Sequence, residues 1–153
     1  MIISFAGHST LPHDVRIKKL IKEKLQNIIA RNEAVICYLG GYGDFDNLCA
    51  QVCRELKEEF PHIELVYVAP YLTISEQFKI KEMHQHGLCD SPIYPPIEST
   101  PPKFAVLKRN EWMMEQADIV IAYVSHSYGG AYKSPQAARR KGKAIVNIFE
   151  LLK

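Results

Sequence analysis

Three short stretches of this chain carry residue types that could do chemistry, and each follows a hydrophobic run. The first is Gly40-Gly41-Tyr42-Gly43-Asp44-Phe45-Asp46, three glycines interleaved with two carboxylates. Glycine lets the backbone come close to a ligand, and a helix starting behind such a turn offers free amides. The spacing departs from the dinucleotide fingerprint, because no third glycine stands near Asp46. Two acids at a helix start repel phosphate, so Asp44 and Asp46 suit a ribose hydroxyl or a base N–H. The alternative is local: Asp44 caps the helix and Asp46 complements its dipole.

The second stretch, Ser125-His126-Ser127-Tyr128-Gly129-Gly130-Ala131-Tyr132-Lys133-Ser134, holds hydroxyls, a glycine pair and a lysine but no acid. Backbone amides leading into a helix, with Lys133 beside them, would form an anion site. An ordinary glycine turn with a solvated lysine is the alternative. The third stretch is Gly7-His8-Ser9-Thr10, where His8 could reach a ligand or only bond its own loop. Arg109 and Asn110 lie on a helical segment, and an arginine there could fork onto a phosphate. A solvated surface arginine would look the same.

Metal and nucleophile chemistry find less support. His84, His86, Cys89 and Asp90 are possible ligand types, but zinc takes four well-spaced ligands and no second pair flanks this string. Cys49 and Cys53 fall on the apolar stripe of a helix and belong to a core. No GxSxG elbow is present. No cofactor and no metal are expected.

The elements that must position these stretches alternate between apolar runs and amphipathic segments, the pattern of a parallel sheet with crossover helices. Strands are predicted at Met1–Ala6, Ala34–Leu39, Ile63–Ala69, Ile119–Val124 and Ala144–Phe149. The run Ile119–Val124 is the most hydrophobic and is expected to be central. Helices are predicted from Pro12 to about Arg31, from Phe45 to Phe60, from about Ser75 (as cap) to His86, from Phe104 to Gln116, and from about Ser134 to Lys141. The proline-rich segment Leu88–Lys103 is expected to be a long loop with a short strand near Ile93-Tyr94. Loops of that length are often lids. The fold class is therefore α/β: one Rossmann-like domain over 1–153, its mostly parallel sheet of five or six strands covered by helices on both faces.

The chain has 153 residues, 47% hydrophobic and 24% charged, with a net charge of +2. That balance is too mild for nucleic-acid binding by bulk electrostatics, so nucleic acid is not expected as a partner. No run approaches the ~20 apolar residues of a spanning helix, so no membrane association is expected. The opening MIISFAGHST carries no basic leader. A cytoplasmic protein with four reduced cysteines is expected.

Taken together, Gly40-Gly41-Tyr42-Gly43-Asp44-Phe45-Asp46, Arg109-Asn110-Glu111-Trp112-Met113, Ala117-Asp118-Ile119-Val120-Ile121-Ala122 and Gly129-Gly130-Ala131 resemble the SLOG superfamily. That group holds the lonely-guy phosphoribohydrolases and the DNA-processing protein A family. The likeness is to its uncharacterised bacterial and phage branch, whose pattern runs roughly GG-x-x-G-x-D, RN-x-x-M, then GGT. It covers almost the whole chain. The resemblance implies a Rossmann-like sheet that binds nucleotides, or signals derived from them such as ADP-ribose, between two glycine loops. Hydrolytic members carry a glutamate after the second loop; here that position falls on Ser134, the threonine on Ala131 and the leading proline on Tyr128. Cleaving an N-glycosidic bond builds positive charge on the sugar, and serine cannot stabilise it as a carboxylate does.

A sensor or sequestering module that binds a nucleotide-like ligand without turnover is thus expected. The alternative is an N-glycosidic-bond hydrolase or transferase using Asp46 or Asp44. The expected ligand contacts are Gly7, His8, Gly40, Gly41, Tyr42, Gly43, Asp46, Arg109, Asn110, Ser127, Gly129, Gly130, Ala131 and Lys133. The proline-rich loop would close over them, and exposed helix faces would pair the chain as a homodimer.

Overall fold

The computed structural model describes every residue of the chain except Gly130 and Ala131. Strand β1 (Ile2–Gly7) leads through α1 (Val15–Ala30) to β2 (Val35–Leu39), and α2 (Asp44–Glu59) leads to β3 (Ile63–Val68). Then come α3 (Ile74–Gln85), β4 (Ser91–Ile93), a 3-10 turn at Pro102–Phe104, and α4 (Ala105–Gln116). The chain closes with β5 (Ile119–Tyr123), α5 (Gly130–Arg140), β6 (Ala144–Asn147) and α6 (Ile148–Leu151). All strand pairs are parallel, in the order β4-β3-β2-β1-β5-β6. The expected α/β class, parallel sheet and helix-covered faces are thus all present.

Two packed layers follow from residue spacing. Ile17, Ile21, Leu25 and Ile29 repeat every four positions, so α1 turns one stripe inward and buries all four. Helix α2 does the same with Phe45, Cys49, Val52, Cys53 and Leu56. These stripes meet Ile3, Phe5, Cys37, Leu39, Leu65 and Ile121 on one sheet face. Alternate residues of the same strands, Tyr38, Val66, Val120 and Ala122, point to the other face and meet Met113 and Met114 of α4 and Ala138 of α5. Each fully buried aliphatic or aromatic side chain contributes roughly 1.5–3 kcal/mol.

The strand order places the binding crevice. From β1 the chain builds outward through β2, β3 and β4, then returns to the opposite side of β1 with β5 and β6. The loops after β1 and β5 therefore diverge, and a gap opens above the sheet between them.

Several local expectations are corrected. Thr73, not Ser75, caps α3, its Oγ1 accepting from the Glu76 N–H at 3.3 Å. The short strand near Ile93-Tyr94 is β4, Ser91–Ile93; it holds Pro92, which an edge strand tolerates. Strand β5 is interior but not central, since β1 and β2 occupy the middle. The helix expected from about Ser134 to Lys141 already includes Tyr132 and Lys133 and ends at Arg140. The last strand stops at Asn147, whose side chain takes the Val124 N–H at 3.0 Å, donates to the Val124 carbonyl at 3.1 Å and accepts from the Phe149 N–H, so α6 begins there.

Two loops at the crevice are locked together by Gly43. Its φ of +91° suits glycine alone, and a β-carbon there would stand 2.8 Å from Ser9 Cα. Gly43→Ala therefore combines strain with a backbone clash, and is expected to lower unfolding free energy by about 2–4 kcal/mol in urea melts. Gly87→Ala, at φ +70° with nothing within 4 Å of the added carbon, should lose about 1–2 kcal/mol.

Candidate functional site

A cleft of about 580 Å³ fills the gap between the β1 and β5 loops. Gly7, His8, Ser9 and Thr10 form one wall, Tyr42 and Asp46 a second, and Asn110 with Val106 enters from α4. Ser125, His126, Tyr128, Gly129 and Ser134 close the far side. Acid-bearing and amide-bearing glycine turns thus share one crevice. Asp46 is the sole carboxylate among the lining residues.

The two aspartates of the first motif are separated by function. Asp44 faces away from the cleft: its Oδ2 accepts the Leu11 N–H at 3.1 Å, and its own N–H donates to the Ser9 carbonyl at 2.8 Å. It is a clasp between loops, and it does not cap its own helix. Asp46, one helical step along, is half-buried and accepts the Tyr42 N–H at 3.3 Å. Burial pushes its carboxyl up to about 6, against the opposing pull of Arg109 and the Tyr42 amide.

Arg109 lies beneath the cleft rather than in it. The side chain is 0% exposed. Its Nη1 donates to the carbonyls of Gly40 and Val68, both at 2.8 Å, and Nε donates to Asn110 Oδ1 at 2.9 Å. Nη2 is the one guanidinium nitrogen with no partner among the described residues. A β-carbon on Gly40 would stand 2.9 Å from Asp46 Oδ2 and 3.3 Å from Nη2, so glycine is what leaves room for the pair to face each other. The buried cation ties the ends of β2 and β3 and keeps Asp46 from being an isolated buried charge.

Tyr42 is held between cations, with Lys79 Nζ 4.7 Å and Arg109 Cζ 5.1 Å from its ring centroid. Lys79 Nζ also donates to the Tyr67 hydroxyl at 3.1 Å, which donates to Glu76 Oε1 at 2.5 Å. Tyr67 is fully buried, and burial with the adjacent Glu76 drives its hydroxyl well above the ordinary tyrosine range. Helix α3 is thus fastened to the cleft's second wall by polar contacts, beside the packing of Ile80 and Met83 on Tyr67, Ala69 and Cys89.

An aromatic stack joins the first wall to the far side. His8 and His126 lie face to face at 3.7 Å, and His126 and Tyr128 at 3.9 Å. His8 Nε2 accepts the Ser125 N–H at 2.9 Å, which requires an unprotonated nitrogen; burial, then His126, lowers its pKa accordingly. Behind the stack, Gly129 caps α5 with no side-chain hydrogen bond. Ser134 is 4% exposed, and its Oγ has no partner among the described residues.

Of the expected contacts, Gly7, His8, Tyr42, Asp46, Asn110 and Gly129 line the cleft. Gly40, Gly41, Gly43 and Arg109 shape it from below or behind, Ser127 lines a neighbouring cavity, and the exposed Lys133 lines neither. Gly130 and Ala131 lie outside the described residues. The proline-rich loop lines a separate hollow with Tyr71 and Thr73 and adds no residue to the cleft. His126 and the Ser134 hydroxyl went unremarked as contacts. Their signal was available: a histidine three residues after a strong strand, and a serine five residues past a glycine cap.

Two outcomes test this geometry. Arg109→Met leaves two buried carbonyls without their donor and Asp46 without its nearby cation, and should destabilise by about 3–5 kcal/mol, whereas Lys133→Ala should change stability by less than about 0.5 kcal/mol. Asp46 is held above its unfolded value of 3.8, so its contribution is complete below pH 4 and is lost as pH rises through about 6. The urea-melt difference between the parent and Asp46→Asn should therefore move by about 2–3 kcal/mol between pH 4 and 7, the parent becoming relatively weaker at high pH. A flat difference would place Asp46 in ordinary solvent.

Comparison with known proteins agrees with this architecture. The chain matches the family model described as the YspA SLOG family (YpsA) over residues 9–148. No curated protein sequence matches it. Among solved structures, DNA processing protein A from Helicobacter pylori superposes with a TM-score of 0.60 at 14% identity, over 95% of this chain and 63% of that one. DprA from Streptococcus pneumoniae gives 0.61 at 12% identity, over 94% and 48%. This chain thus spans less than two thirds of either neighbour. The Helicobacter protein has a described single-stranded DNA binding mode. That finding overturns the expectation that nucleic acid is an unlikely partner, which rested on the mild net charge alone. No helix here is long and apolar enough to cross a membrane. A profile match over most of the chain, with the glycine turns and buried arginine already in place, shows that this protein belongs to the YpsA family of the SLOG group.

Proposed function

We propose that the cleft binds a nucleotide-derived ligand, a nucleoside phosphate or ADP-ribose-like molecule, and holds it without turnover. One observation carries this: Ser134, which lines the cleft together with Asp46, keeps a buried Oγ without a partner among the described residues. A buried hydroxyl left unsatisfied costs about 1–3 kcal/mol. A phosphate oxygen at the uncapped start of α5 would remove that cost and meet the helix dipole. On the other wall Asp46, an acceptor when ionised, suits ribose hydroxyls, and Asn110 lines the same cleft from α4. A ribose phosphate has this polarity, hydroxyl donors at one end and an anion at the other. Tyr42 and Tyr128 offer faces for a base.

The second possibility is cleavage of an N-glycosidic bond, favoured by the raised pKa of Asp46, which suits a general acid or base near neutrality. Against turnover stands the absence of a second carboxylate from the cleft lining. Asp44, fastened to Leu11, is no substitute.

Thermal unfolding with adenosine 5′-monophosphate and with ADP-ribose tests the binding function. At 100 times the dissociation constant a ligand adds about 2.7 kcal/mol, a rise of about 5–10 °C for a chain of this size. Ser134→Ala and Asp46→Asn should each weaken binding about tenfold. ADP-ribose affinity should also fall about tenfold from pH 7.5 to pH 5, as Asp46 gains a proton and loses an acceptor. The absence of any shift with either compound sinks the proposal. Release of free adenine, abolished by Asp46→Asn, would establish the enzyme instead.

A further inference from the structure

A second cavity, of about 490 Å³, opens on the other side of the Ser125–Gly129 loop, between α5, the end of β6 and α6. Ser125 and His126 line both cavities. The wall between them is thus one loop thick, its core the His126 ring stacked between His8 and Tyr128. His126 Nδ1 lies buried in that wall with no partner among the described residues.

The second cavity is equipped separately from the first. Tyr132 and Gln136 face it from one turn of α5, and Arg139 from the next. Lys153 is paired with Glu150 at 3.1 Å, but Arg139 makes no salt bridge among the described residues. The lining therefore offers one uncommitted guanidinium, a group that forks onto phosphate oxygens. Asn147, bonded both ways to Val124, holds the floor rigid.

Adjacent strands lie about 5 Å apart. Clefts on either side of the β5 end are therefore separated by a distance that one sugar–phosphate linkage can cross. We infer that the two cavities are subsites of one tract, and that its ligand has two nucleoside units joined through phosphate. The first unit lies over Asp46 and Ser134. The linkage passes over the His126 side of the wall, and the second unit lies against Tyr132 with Arg139 on its phosphate. This inference rests on the nucleotide-binding function proposed above and specifies its ligand. A free dinucleotide and the end of a single strand share that chemistry.

Calorimetric titration with adenosine 5′-monophosphate and with the 5′-phosphorylated diadenylate separates the two levels. The diadenylate should bind at least tenfold tighter. Arg139→Glu, a surface change, should erase that advantage and leave monophosphate affinity within twofold. Tyr132→Ala should act in the same direction, while Asp46→Asn weakens both compounds. Equal affinities in the parent, or an Arg139→Glu loss shared by both compounds, overturns the two-subsite assignment and leaves the first cleft's function standing. If neither compound binds, both proposals fail together. A twelve-nucleotide adenylate tighter than the diadenylate makes a strand end the source; parity makes it a free dinucleotide, and either result upholds the paired subsites.

Discussion

A guanidinium buried beneath the ends of β2 and β3 is the constraint on which this site depends. Arg109 gives one nitrogen to the carbonyls of both strands, so their last residues cannot drift apart. An unpaired charge in that position would be costly by several kcal/mol. The carbonyl dipoles and Asp46 share the compensation, and Asp46 in turn gains a cation that makes its own burial tolerable. Glycine at position 40 is the steric condition for this arrangement, because any side chain there would stand between the two groups. The same cation faces the ring of Tyr42 and so sets the first aromatic surface of the cleft.

From that anchor the rest of the cleft follows by short links. Gly43 brings the β2 loop against Ser9, and Asp44 fastens it to Leu11, so the loops after β1 and β2 move as one piece. The loop after β5 is held differently, by the Ser125 amide on His8 and by stacking through His126 to Tyr128. Tyr128 itself is 69% exposed, and it is the least enclosed member of the wall. One side of the crevice is thus rigid through hydrogen bonds and packed backbone. The other ends in an aromatic surface open to solvent, suited to meeting a planar group.

The alternation of the strands was legible in residue order. Branched and aromatic residues at period two, interrupted by stripes at period three to four, describe a parallel sheet between helices whatever the remaining details. Cap positions and strand ends were less legible. Thr73 and Ser75 are both competent caps, and only backbone direction decides between them. Asn147 continues a β-rich run, yet its side chain is drawn to Val124 on the neighbouring strand and ends the run there.

For the site, the residues themselves announced that glycine turns, carboxylates and hydroxyls would gather at strand ends, because local backbone needs and strand–turn–helix order are encoded nearby in the chain. Which aspartate enters the cleft, that Arg109 is a buried clamp and that Lys133 points elsewhere were decided only by tertiary structure. Each of those outcomes depends on partners far along the chain: Arg109 on Gly40, 69 residues away, and Ser125 on His8, 117 residues away. Spacing within a motif carries no information about such distances, since they exist only once the sheet has brought its strand ends together.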